Sequence, residues 1–152
     1  AAEPEVFSHN TETVPRLYRQ ARPGSRYDRT LALLADAARR RDQGEWIGRV
    51  KTGIMVGLGE RDDEVAATIA DIRGAGVEVL TIGQYLQPTT KHLPVKRFVT
   101  PETFAGYKEY ARKLGFAHCE SGPLVRSSYH AHEHVRAPLS QSGRDSVGFA
   151  GR

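Results

Sequence analysis

A single cysteine, Cys119, in 152 residues leaves no internal disulfide framework and no zinc or iron–sulfur site built from several cysteines of this chain. No apolar run approaches the ~18 residues that cross a bilayer, and the opening AAEPEVF lacks the architecture of a secretory signal. The expectation is a cytoplasmic protein with no membrane partner. Phosphate loops are missing too. The stretch KTGIMVGLGE, Lys51 to Glu60, ends an apolar run in a glycine-rich turn, yet a dinucleotide fingerprint needs a third glycine where Asp62 stands. A Walker loop needs Gly-Lys-Ser/Thr after its spacer, and none follows. Glu60 would also repel a phosphate on that turn, so the turn suits an uncharged or cationic ligand.

What is present is a globular composition, 39% hydrophobic and 26% charged. The length suffices for one core but falls short of the roughly 250 residues of a complete eight-stranded α/β barrel. The net charge of +4 comes from scattered arginines and from Arg39, Arg40 and Arg41, which close a predicted helix. Cations there complement the helix dipole. Without interleaved aromatics they do not make a nucleic-acid surface, and no nucleic-acid partner is expected.

The apolar period switches between strand and helix along the chain. Glu5 to Ser8 reads as a strand, followed by a helix with the stripe Val14, Leu17, Tyr18 and Ala21, broken at RPGS. Tyr27 to about Gln43 reads as a helix with Tyr27, Leu31, Leu34, Ala35 and Ala38 on one face. Val50 to Val56 is the next strand, Asp62 to Ala75 the next helix, and Val77 to Ile82 the third strand. A long loop then leads to a helix opened by Thr100 and Pro101 and closed by Gly115, with Phe116 to Glu120 as the last strand. This order demands parallel crossovers and an α/β sheet or barrel. Residues 137–152, rich in glycine and serine, read as a disordered tail.

In parallel α/β folds ligands gather at the carboxyl ends of the strands. Four segments fall there: SHNTE, GLGE, GQYLQP and SGPLVRSSYHA. In this order, together with the flanking SHNTETVPRLYRQARPG and TIGQYLQPTTKHLPV, they resemble the carboxyl-terminal half of the lipoyl synthases, a radical S-adenosylmethionine family, over residues 4–131. SHNTET and GIMVGLGE alone are also similar to biotin synthase; GQYLQP and RSSYHA point to lipoyl synthase.

The resemblance implies a partial parallel (β/α) barrel and a sulfurtransferase that inserts two sulfurs at C6 and C8 of a protein-bound octanoyl chain. Its implied cofactors are two 4Fe-4S clusters and S-adenosylmethionine, whose sulfonium agrees with the cation-tolerant turn at Gly57. Gly53 and Gly57 would let the backbone approach that cofactor, or else simply shape the turn. Asn10 and Glu12 match an Asn-x-acid pair that holds the ribose in the sister family; the alternative is that either caps the following helix. Gln84 would face the cofactor or bond its own loop. Ser128, in RSSYHA, matches the non-cysteine ligand of the auxiliary cluster, the implied sulfur source. Implied partners are an octanoylated lipoyl carrier domain or the glycine cleavage H protein, with ferredoxin or flavodoxin as electron donor. Leu86, Leu93 and Pro94 are candidates for lining an octanoyl channel.

One departure is decisive. The family holds its clusters through two cysteine triplets, and this chain contains neither. The expectation is therefore an inactive fragment of a longer enzyme, a truncated gene product, or half of a split enzyme whose missing N-terminal half brings the cysteines. A non-catalytic remnant that binds a partner or carrier is the competing reading. Cys119 lies inside a strand pattern and reads as a buried structural thiol, and His130, His132 and His134 read as incidental.

Overall fold

Parallel strands cannot be joined by a tight hairpin; each needs a crossover, and a helix packed on the sheet supplies it. The computed structural model describes residues 5–126. Strand β1 (Glu5–Ser8) leads into a 3-10 turn (Pro15–Leu17), the one-turn helix α1 (Tyr18–Ala21) and helix α2 (Tyr27–Asp42). Then come β2 (Gly48–Val56), α3 (Asp62–Gly74), β3 (Val79–Gln84), α4 (Pro101–Leu114) and β4 (His118–Gly122). The strands form one parallel sheet in the order β1-β2-β3-β4. The mixed α/β class is as expected. Ser128, the three histidines after it and the tail at 137–152 lie outside the described residues.

Alternation along the strands divides their side chains between two faces. Val50, Ile54 and Val56 of β2, Leu80 and Ile82 of β3 and Cys119 of β4 join one core with Leu34, Val65, Ile69, Ile72, Phe104 and Ala111 of the helices. Burial pushes the Cys119 thiol up to about 12, so it behaves as a small apolar side chain. The opposite face carries Lys51, Gly53 and Met55 of β2, Val79, Thr81 and Gly83 of β3, and His118 and Glu120 of β4, aligned by the register Lys51–Val79–His118 and Gly53–Thr81–Glu120. One face is a core and the other is polar and glycine-rich.

The helix ends follow their local chemistry. Thr100 Oγ1 accepts the Thr103 N–H at 3.2 Å with Pro101 in the first turn, and Gly115 takes the left-handed conformation at φ 97°. Both β3 and β4 begin two residues later than the apolar pattern suggests, for a shared reason. Val77 and Phe116 each follow a left-handed glycine, Gly76 or Gly115, and are buried before the strand begins, with the Phe116 N–H still bonding back to the Ala111 carbonyl of α4 at 3.2 Å. Helix α2 also turns differently from expectation. Thr30 and Ala37 are buried beside Leu34 and Ala38, because the Thr30 hydroxyl pairs with Tyr18 Oη at 3.0 Å, while Tyr27 donates to Asp71 at 2.8 Å.

Arg16 clamps the first crossover to the second. Its guanidinium donates to both Glu64 oxygens, at 2.8 and 2.9 Å, and to the Gly59 carbonyl at 2.9 Å. The Arg61 N–H adds a further bond to Glu64 at 2.8 Å. Arg16 first, and then that backbone N–H, hold the Glu64 carboxyl down at about 2. Between the ordinary value near 4.5 and about 2 the unfolded chain binds the extra proton, so this contribution is intact above pH 4.5 and disappears as pH falls through about 2. Urea midpoints measured across that window should fall more steeply for the native chain than for Glu64→Gln; equal slopes would show that the clamp is not a stabilising pair.

Candidate functional site

Two chain segments close over the carboxyl ends of β2 and β3. Residues 9–13 cross β2, where the Thr11 and Glu12 N–H groups both donate to the Gly53 carbonyl at 3.0 Å and Met55 N–H donates to the Glu12 carbonyl at 2.9 Å. Thr52 Oγ1 donates to the His9 carbonyl at 2.7 Å, so Thr11 is the donor in its 2.8 Å bond to Thr52. This stitching holds Glu12 at φ 78°, a left-handed conformation that a non-glycine residue adopts only when its surroundings impose it. After β4 the chain turns back so that the Val125 carbonyl sits where a Gly83 side chain would begin, 2.3 Å from an ideal Cβ. Gly83 is therefore required for the approach.

Between these segments lies a cavity of about 320 Å³ lined by Asn10, Glu12, Gly53, Met55, Thr81 and Gly83, with Val125 and Arg126 on its far wall. Three residues singled out from sequence, Asn10, Glu12 and Gly53, thus meet in one place. Glu12 is also bonded to Arg22 at 2.8 Å and stays partly exposed. Missed were Thr81, Met55 and Gly83. Their signal was parity: each lies an even number of positions from Gly53 or from its register partner.

Gly57 and Gln84 do not line this cavity. The Glu60 carboxylate, 5% exposed, accepts the Gly57 N–H at 2.8 Å and the Leu58 N–H at 3.0 Å. The turn's backbone donors are occupied by the chain's own acid, which explains why GLGE looked wrong for phosphate. Gln84 donates through Nε2 to the Tyr85 and Arg97 carbonyls, both at 3.0 Å, and accepts the Val99 N–H at 2.9 Å. Its amide pins the long loop from inside, the second of the two readings given for it. Asp62 anchors the same loop from outside, accepting Arg97 at 2.8 Å and Tyr107 Oη at 2.7 Å.

The polar groups of the cavity are the Asn10 amide, the Glu12 carboxylate, the Thr81 hydroxyl and the Arg126 guanidinium, beside close backbone. That set fits a polar, hydroxyl-bearing organic ligand. It does not fit an iron–sulfur cluster: among the described residues no three His, Cys, Asp or Glu side chains are placed to hold a metal, and the lone thiol is in the helix-facing core. Below the cavity, on the same face, Lys51 is 1% exposed, and among the described residues its ammonium has no hydrogen-bond partner. Desolvation lowers its pKa, partly offset by the Glu120 charge.

Fold and site together define a parallel α/β protein with a ligand cavity at the carboxyl ends of its strands. The chain is similar to the lipoyl synthases along nearly all of its length. It is 58% identical over 134 residues to lipoyl synthase of Flavobacterium johnsoniae, covering 88% of this chain and 45% of that protein. With lipoyl synthase of Koribacter versatilis it shares 54% over 137 residues, 90% of this chain and 44% of the relative. With the mitochondrial lipoyl synthase of Nematostella vectensis it shares 51% over 132 residues, 87% and 44%. The chain thus spans less than half the length of these curated relatives. No family profile matches it.

Proposed function

We propose that this chain is the carboxyl-terminal portion of a lipoyl synthase, that its sheet is an arc of a radical S-adenosylmethionine (β/α) barrel, and that its cavity takes S-adenosylmethionine. The supporting observation is the convergence of Asn10, Glu12 and Gly53 on one polar cavity at the strand ends. Asn10 can donate to one ribose hydroxyl and accept from the other, while Glu12 only accepts, so the pair suits a diol. The Glu12 carboxylate, shared with Arg22, also brings negative charge toward the sulfonium. Gly53 and Gly83 keep side chains out of the space the nucleoside needs. Bound there, S-adenosylmethionine would supply a reductively cleavable carbon–sulfur bond; this chain's part is to orient it and exclude water.

The full reaction, placing two sulfurs at C6 and C8 of an octanoyl chain carried on a lipoyl domain or the glycine cleavage H protein, requires cluster ligands that the described residues do not supply. Ser128 remains the proposed serine ligand of the auxiliary cluster. The ferredoxin or flavodoxin electron donor belongs to the same reading, as does an octanoyl path past Leu86, Leu93 and Pro94. The half-enzyme reading is favoured for the isolated chain by its single, core-buried cysteine. Gly57 and Gln84 would act on the cofactor only through the loop they hold.

Calorimetric titration with S-adenosylmethionine should yield binding by the native chain and a loss of about tenfold to a hundredfold in Asn10→Ala and in Glu12→Gln, the range for a lost polar contact of about 1–3 kcal/mol. Unchanged affinity in both variants would remove the cofactor assignment. Anaerobic reconstitution of the chain alone should leave no stoichiometric cluster, and a well-formed one would overturn the half-enzyme view.

A further inference from the structure

We propose that the arginine-lined groove around the start of α2 is the docking surface for an acidic polypeptide, and, resting on the reading above, that this polypeptide is the octanoyl-bearing carrier. Between Val14 and Thr30 the chain carries five arginines and one acid. Three of those arginines have intramolecular employment: Arg16 with Glu64, Arg22 with Glu12, and Arg26 with Asp28. Arg19 and Arg29 are exposed, and among the described residues neither forms an ion pair.

Both open into hollows. Arg19 lines one of about 640 Å³ with Pro15, Tyr18, Tyr27 and Asp28. Arg29 lines a second of about 230 Å³ with His9, Arg22 and Leu33. Gly24, Ser25 and Arg26 are in the walls of both, so the hollows flank a single turn. Guanidinium groups beside aromatic and aliphatic walls suit carboxylate-bearing side chains, because the planar fork takes a carboxylate bidentately while the ring faces take the apolar stems.

The field is local. Arg39 and Arg40, farther along α2, are neutralised by Asp36 and Glu45. A duplex, with a phosphate charge every ~1.7 Å of axis, would reward an extended basic track instead. Position supplies the functional link. Arg22 lines the smaller hollow and its guanidinium bonds Glu12, which lines the cofactor cavity. A partner seated on the arginines lies next to the cavity mouth.

The test uses the chain as it stands and an octanoylated lipoyl carrier domain, followed by fluorescence anisotropy. Binding should weaken at least tenfold in Arg19→Glu/Arg29→Glu, survive in Arg19→Lys/Arg29→Lys, and fall steadily as salt rises from about 50 to 500 mM, as steered charge complementarity requires. S-adenosylmethionine affinity, measured in parallel, should be the same in all three proteins. Carrier binding that ignores both charge reversal and salt overturns the proposal, as does tighter binding of a short DNA duplex than of the carrier. If the reversed variant does not fold, the salt series on the native chain decides. A native chain that binds the carrier but not S-adenosylmethionine would instead count against the cavity assignment.

Discussion

Alanine at Gly57 should destabilise the fold by about 3–5 kcal/mol, the size of effect reserved for strain and lost buried networks. Gly57 sits at φ 105°, and an ideal Cβ there falls 2.3 Å from Gln84 Nε2 and 2.6 Å from the Arg97 carbonyl. Neither neighbour can retreat freely. Gln84 holds three backbone groups of the long loop, and Gly57's own carbonyl accepts the Lys96 N–H at 2.8 Å. The added methyl therefore meets a backbone wall, enforces a conformation that side chains disfavour, and loosens bonds of about 1 kcal/mol each. Gly74→Ala is the control, because nothing lies within 4 Å of its Cβ and it ends a helix; it should be neutral or slightly stabilising. Urea midpoints for the two variants that agree within 1 kcal/mol would refute the clash.

Lys51→Met should raise stability at neutral pH by about 1–3 kcal/mol, since an ammonium that is buried without a hydrogen bond forfeits hydration that no partner returns. Methionine keeps the stem and drops the charge. Desolvation lowers the Lys51 pKa in the fold, with the Glu120 carboxylate pulling the other way. In the window between that lowered value and 10.5 the unfolded chain binds more protons than the folded one, so stability must rise with pH there. Below the window both states carry the proton and the penalty is complete. The native chain should gain stability on raising the pH toward 10.5, and Lys51→Met should lack that gain. A variant less stable than the native chain at pH 7 would mean that Lys51 chiefly neutralises Glu120, which shares its face.

Much of the fold was legible because its signals are local. Thr100-Pro101 and the left-handed Gly115 bracket α4 by chemistry that needs no tertiary context. Val77 and Phe116 were read as strand because they are apolar, and only the structure shows that they are buried in the turns between a left-handed glycine and the strand. The site divides the same way. Asn10, Glu12 and Gly53 follow from family motifs and from the rule that ligands collect at strand ends. Gln84 followed the same rule but not the parity: it lies two positions from Ile82, which faces the helices, so its amide turns into the loop. Gly57 lies outside the cavity lining for another reason. A glycine beside a binding strand looks like an opening for a ligand, and nothing local declares that Glu60 has already taken its N–H.

That internal carboxylate bears on how the cavity would meet its guest. A loop that waits for a ligand to satisfy its donors must freeze as the ligand arrives, and part of the attraction is consumed in ordering the chain. Here Glu60 holds the turn after β2, and Gln84 the adjoining loop, before anything binds. The strand ends beside the cavity are thus set in advance, and under the proposed reading discrimination falls to Asn10 and Glu12, which line it.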